Sequence, residues 1–289
     1  MTLSRTDPRL TPARPDLAAR HLKGTVEAAR FAEGEPREVI EACAPVRKVP
    51  FPDAPFETEA LMGERLTVYE FGDEGFAWGQ LEADGYVGYL PANALAVPGH
   101  APTHRVAVLR TLAFPGPSIH LPPITGLPLG ARVAVARANP PFAVLASGHF
   151  IPAKHVAMLD QIESDFVSVA ERFVGVPYLW GGKTSLGIDC SGLVQVALGA
   201  CGIAAPRDAD LQEQAIGAAV SFEPCFNGMR RGDLVFWPGH VAIMRDAQNV
   251  VHANSFDMAV TVEPLATVSA RMRRERQHEP TSVRRIKRQ

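Results

Sequence analysis

GIDCSGLVQVALGACG (187–202) is the stretch that decides how this 289-residue chain is read. Asp189-Cys190-Ser191-Gly192 lies where a glycine-containing loop runs into a compact apolar segment, 191–200, that closes at Gly202. That pattern predicts a helix with Cys190 at its start. A thiol at a helix N-terminus meets the positive end of the dipole and unpaired backbone N–H groups, and both favour the nucleophilic thiolate. The same N–H groups can hold a developing oxyanion. Asp, Ser and Gly are poor choices for a buried helix interior, which sets Cys190 apart from Cys201 and Cys225. Those two fit the common case of a thiol buried as a small hydrophobe.

Downstream, LVFW (234–237), HVAIMRD (240–246), NVVHAN (249–254) and AVTVEPL (259–265) alternate and are separated by turns, as short strands do. His240 opens the second of these and His252 falls twelve residues later, a distance that suits neighbouring strands of a hairpin with both rings on one face. A thiolate needs a base and a third group that orients it. The expected order is Cys190 as nucleophile, His240 as base and His252 as orienter. Upstream, Ile162, Phe166, Val169, Ala170 and Phe173 recur at helical spacing until Gly175 and Pro177 end the pattern. Helices followed by an antiparallel sheet make 158–289 an α+β domain.

The front half reads differently. Residues 1–40 are polar, with LAARHLKG (17–24) as a short helix in a surface extension. In 41–98, LTVYEF, FAWGQL and YVGYL are joined by turn signals at Asp73-Glu74-Gly75 and Asp84-Gly85, the spacing of a small β-barrel. Residues 99–157 repeat that spacing, and eleven of the 25 prolines lie from Pro91 to Pro152, so this stretch consists of short strands, turns and loops. YLPANAL (89–95) and FIPAKHV (150–156) end the two units alike, a sign of an internal repeat.

Composition narrows the function classes. With 46% apolar and 21% charged residues, the chain is neither disordered throughout, collagenous nor a coiled coil. No apolar run approaches the length of a membrane helix, and a net charge of −2 gives no reason to expect nucleic acid. The first twenty residues show no apolar signal core and the four cysteines form no CxxC pair, so reduced thiols and a cytoplasmic location are expected. The histidines form no metal-binding spacing, and no metal or cofactor is expected. Residues 271–289 carry eight Arg or Lys against Glu275 and Glu279, a short basic tail that reads as a solvated face, or else as a docking surface for an anion.

Six motifs in order, PYLWGG (177–182), GIDCSGLVQ (187–195), PRDADLQ (206–212), RGDLVFW (231–237), GHVAI (239–243) and VVHANS (250–255), resemble the NlpC/P60 family over about 85 residues. Those are papain-like cysteine peptidases of bacterial cell-wall peptides. The resemblance implies that Cys190 is the nucleophile, His240 the general base and His252 the polar third residue, with Tyr178 beside the nucleophile to assist the oxyanion or the substrate backbone. Residues 41–98 and 99–157 look like bacterial SH3-type barrels, which some cytoplasmic members carry ahead of the catalytic domain. In that subgroup the first barrel walls off one end of the cleft. The implied substrate is then a murein peptide with a free N-terminal L-Ala, cut between γ-D-Glu and the diamino acid. Asp189 and Asp208 match the positions that hold the ammonium, Arg207 and Ser191 those near the D-Glu carboxylate or backbone, Tyr86 the barrel tyrosine that reaches the pocket, and Glu59 a barrel carboxylate. Ala209 and Leu211 depart from the family, where Ser and a second Gln are frequent.

The expected activity is therefore a cysteine endopeptidase trimming murein peptides during recycling, with no nucleic-acid or membrane partner. Two alternatives stay open: thiol amidase or acyltransferase chemistry on another amide, and a non-catalytic module that binds cell-wall peptides.

Overall fold

The computed structural model describes residues 7–223 and 226–286, which leaves Cys225 and the last basic residues, Lys287 and Arg288, outside the described residues. The chain divides into two compact units, 1–159 and 160–289.

In the first unit, seven strands form one antiparallel sheet in the order Phe56–Leu61, Cys43–Arg47, Val87–Pro91, Phe76–Leu81, Arg65–Phe71, Glu35–Val39, Leu95–Ala96. Val39, Val46, Leu66, Val68, Leu81 and Leu90 point inward at alternate positions and are buried together. Gly79 sits where a Cβ would lie 2.6 Å from the Thr67 carbonyl oxygen, so two strands meet at a distance only glycine permits. The segment expected as an extension gives Glu35–Val39 to this sheet. LAARHLKG is not a helix: Leu17–Ala19 is a fully buried strand, parallel to Arg30–Ala32, followed by a single 3-10 turn at Arg20–Leu22. Pairing and burial of three consecutive apolar residues override helix propensity here.

The remainder of this unit consists of short antiparallel strands between His104 and Met158 around Val106, Leu127, Val133 and Ile151. YLPANAL and FIPAKHV adopt the same conformation. Each proline, Pro91 and Pro152, has φ near −55° and leads into a 3-10 turn, Ala92–Ala94 and Ala153–His155.

The second unit places four helices, α1 (Phe166–Glu171), α2 (Cys190–Ala200), α3 (Ala209–Ala215) and α4 (Leu265–Arg276), with a six-stranded antiparallel sheet. The sheet order is Ala218–Val220, Ser282–Arg285, Asp233–Trp237, His240–Met244, Asn249–Asn254, Ala259–Pro264. All five residues of Asp233–Trp237 are buried, as expected of a strand covered on both faces. Helix α1 is shorter than its periodicity suggests. The Asp165 carboxylate accepts from the Val167 N–H at 3.1 Å and starts the helix there, which leaves Ile162 outside it and exposed.

The basic stretch is part of the folded unit over its described length, with Arg273, Arg274 and Arg276 on an exposed face. Leu265, Val268, Ser269 and Met272 face inward from α4, Gln277 closes that helix with φ 57°, and Ser282–Arg285 joins the sheet. Arg285 clamps the buried Asp233 carboxylate with two bonds of 2.6 Å. None of the described helices is long and apolar enough to cross a membrane.

Candidate active site

Asp189 is the residue on which the start of α2 is built. Its extended backbone ends the loop, and its Oδ1 accepts from the Gly192 N–H at 2.7 Å, which caps the helix. The same oxygen accepts from Ser191 Oγ at 3.3 Å and from Arg207 Nη1 at 2.9 Å. Oδ2 accepts from the Gly181 N–H at 2.8 Å and from Arg207 Nη2 at 2.7 Å. Arg207 is 1% exposed and also donates to Ser191 Oγ at 2.8 Å. Gln212 on α3 ties the cluster down from the other side, donating to the carbonyls of Ser191 and Pro206 at 2.9 Å each. The loop is equally crowded: a Cβ on Gly192 would stand 2.3 Å from the Gly182 carbonyl oxygen.

Asp189, Ser191 and Arg207, the residues matched to the substrate, are thus brought together, buried and bonded to one another, with five donors on a carboxylate that has about four lone-pair sites. They hold the nucleophile's helix. Asp208, the fourth of that set, is half-buried at the start of α3. In the first unit, Tyr86 is 2% exposed and packs in the barrel core with Val46, Leu81 and Leu90, so its ring serves the barrel's own packing. Glu59 is buried too, beside Cys43, whose thiol is pushed up to about 12 by burial and then by that carboxylate.

Cys190 is 7% exposed at the first position of α2. The Ser191 N–H at the helix start, the Val241 N–H of the neighbouring strand and the Arg207 charge pull its thiol down. Burial, followed by the Asp189 charge, wins and pushes it up to about 12. His240 is held well below its ordinary value, first by burial and then by His252, Arg276 and Arg271. Both shifts favour an uncharged thiol and imidazole at rest, rather than the thiolate that helix position alone suggests. Tyr178, on the loop before α2, is raised by burial and then by Cys190 and Asp189, so its phenol stays a proton donor.

The two histidines meet as expected of a hairpin. His240 Nε2 lies 2.9 Å from His252 Nδ1, with ring centroids 5.1 Å apart. His252 is 1% exposed, and its Nε2 lies 2.9 Å from Glu263 Oε1. Arg271 on α4 grips both oxygens of Glu263 at 2.7 Å and lies over the Phe256 ring at 4.5 Å. Glu263 was absent from the sequence reading, and Arg271 entered it only as part of the basic stretch 271–289. Glu263 stands two residues beyond Thr261, the register partner of His252, so strand alternation could have located it on the same face. Among the described residues, no group of three His, Cys, Asp or Glu could hold a metal ion.

A thiol at a helix start with two aligned imidazoles is the arrangement of a papain-like peptidase, and comparison with known proteins agrees. Residues 175–276 match the NlpC/P60 family model, and 46–95 match that of the bacterial dipeptidyl-peptidase SH3 domain. The chain carries an NlpC/P60 domain behind a bacterial SH3 domain. By that assignment the second unit is a cysteine-peptidase domain. Dipeptidyl-peptidase 6 of Lysinibacillus sphaericus is 37% identical over 113 residues, covering 39% of this chain and 40% of that protein. A gamma-D-glutamyl-L-lysine dipeptidyl-peptidase of Bacillus cereus is 26% identical over 242 residues, covering 73% of this chain and 71% of its own length. A crystal structure of an NlpC/P60 family protein from Bacillus cereus shares the fold, with a TM-score of 0.73 at 19% identity over 87% of this chain and 99% of that one.

Proposed function

We propose that this protein is a cysteine endopeptidase acting on murein peptides with a free N-terminal L-Ala, cutting between γ-D-glutamate and the diamino acid. We further propose that it acts in the cytoplasm on recycled wall fragments. The observation that carries the reading is the 2.9 Å contact of His240 with His252 on strands beside a helix that begins at Cys190. The names of the relatives support the γ-glutamyl bond as the target.

In this reading His240 takes the thiol proton as Sγ attacks the amide carbonyl carbon, so the thiolate forms only as it is used. Backbone N–H groups at the start of α2, with the Tyr178 hydroxyl, face the oxyanion. His240 then gives its proton to the leaving amine, and water hydrolyses the thioester. With Asp189 committed to Arg207, Asp208 is the member of the expected set assigned to the substrate ammonium.

Mass spectrometry of the protein with L-Ala-γ-D-Glu-meso-diaminopimelate and its L-Lys counterpart tests this. Release of L-Ala-D-Glu by the parent but not by Cys190→Ala is the expected result, with N-acetylated peptide left intact. Turnover by Cys190→Ala would end the assignment of the nucleophile, and equal rates on blocked peptide would end the ammonium requirement.

A further inference from the structure

Two imidazoles in a line leave the direction of proton donation open. Each neutral ring carries one proton, and His240-to-His252 donation is as good as the reverse. The direction matters to the chemistry proposed above, on which this inference rests. His240 Nε2 is taken up by His252, so only its Nδ1 is left to accept the Cys190 proton. If His252 donated to Nε2 instead, Nδ1 would carry the proton and the base would be lost.

The next contact resolves the ambiguity. Glu263 Oε1 lies 2.9 Å from His252 Nε2, and an ionised carboxylate can only accept. Arg271 keeps it ionised: two bonds of 2.7 Å, then the bond from His252, hold Glu263 far below the ordinary carboxylate range. His252 must therefore carry its proton on Nε2, which makes Nδ1 the acceptor and obliges His240 to donate from Nε2.

Among the described residues, Asn254 is the one competing donor at that nitrogen, 3.4 Å away. Its two amide hydrogens go elsewhere, to Thr261 Oγ1 at 2.8 Å and to Asp257 Oδ2 at 3.2 Å. Its Oδ1 accepts from the N–H groups of Phe256 and Asp257 at 3.0 and 2.8 Å, which fixes the amide against a flip. No hydrogen remains for His252.

We propose that Glu263, locked by Arg271, is a positioning residue that sets the direction of the line from His240 through His252 and so leaves Nδ1 of His240 as the base for Cys190. In the forward step one proton passes from Sγ to Nδ1. The resulting imidazolium keeps donating from Nε2 to His252, and neither His252 nor Glu263 changes its proton count. The Glu263 charge stabilises that imidazolium through the polarised His252 ring.

The test is the tautomer itself. Two-bond ¹H–¹⁵N spectra of histidine-labelled protein above neutral pH, with rings assigned by His→Gln variants, distinguish protonated from bare nitrogens. The expected result for the parent is a bare Nδ1 and protonated Nε2 on His240, with protonated Nε2 on His252. In Glu263→Ala, a protonated Nδ1 appears on His240 and kcat falls about 10- to 100-fold, the range for an outer partner of a reacting group, with KM little changed. Glu263→Leu/Arg271→Leu removes the arm without leaving a charge unpaired and serves if the single variant fails to fold. A parent with Nδ1 protonated on His240, or a folded variant with the parent's tautomers and kcat, overturns the proposal. The spectra need no turnover, so an enzyme inactive on the murein peptide would refute the substrate reading without touching this one.

Discussion

The pair of Asp189 and Arg207 should dominate the stability of the catalytic unit, through charge burial rather than contact strength. Arg207 is 1% exposed and bidentate on Asp189 at 2.9 and 2.7 Å. Removing one partner of such a pair strands the other charge and costs about 3–5 kcal/mol, whereas replacing both can be nearly neutral. Arg207→Met leaves the Asp189 carboxylate accepting from the Gly181 and Gly192 N–H groups, so its loss should lie near 3 kcal/mol. Asp189→Asn keeps the helix cap through Oδ1, since Asn caps as well as Asp. Its loss therefore reports the stranded guanidinium and should reach the upper end of the range. The double variant should lose less than the sum of the singles by at least about 2 kcal/mol. Urea titration followed by near-ultraviolet circular dichroism measures each value. In a thermal scan the single variants should melt roughly 10–15 °C lower, at a few degrees per kcal/mol for a unit of this size. Raising the salt should not remove the difference, because buried pairs are screened little. Additive losses, or single variants within about 1 kcal/mol of the parent, would refute the reasoning.

Other expectations follow from the same geometry. A thiol raised to about 12 is protonated below that value, so alkylation of Cys190 by iodoacetamide should rise steadily from neutral to alkaline pH; a plateau at acid pH would reveal a resting ion pair. Gly192→Ala should cost about 1–3 kcal/mol and lower kcat/KM, because its Cβ would stand 2.3 Å from the Gly182 oxygen; unchanged melting and turnover would mean that the loop yields freely. Glu263 is depressed in the folded state, so its stabilisation is complete above the ordinary carboxylate range and fades as pH falls through it. The gap in urea midpoint between parent and Glu263→Gln should therefore shrink below about pH 4, and a gap independent of pH would count against the ion pair. Arg285→Ala should destabilise the unit by about 1–3 kcal/mol by stranding the buried Asp233, with turnover per folded molecule unchanged; a variant as stable as the parent would show that the clamp contributes nothing.

Much of the catalytic unit was legible without coordinates. The Cys190 helix, the strands at 234–237, 240–246, 249–254 and 259–265, and the meeting of His240 with His252 follow from hydrophobic period and hairpin spacing, which are local. The N-terminal SH3-like strands announced themselves in the same way. Helix α4 was also written in the chain: Leu265, Val268, Ser269 and Met272 fall at i, i+3, i+4 and i+7. Seven arginines and lysines downstream of Met272 drew attention to charge instead of period, and the segment read as a tail.

What the sequence by itself determined, then, is which residue types stand at the loop-to-helix junction and on the strand faces. Only the tertiary structure decided what the charged ones do. Asp189 and Arg207 are 18 residues apart and Glu263 and Arg271 belong to different elements, so no local pattern distinguishes a carboxylate that waits for a ligand from one already saturated by a guanidinium. The same holds for Tyr86, whose place in the barrel core depends on three other strands. The thiol's resting state depends likewise on whole-unit burial: a helix start acts over one turn, while desolvation integrates everything packed around Cys190, and at this site the second is larger.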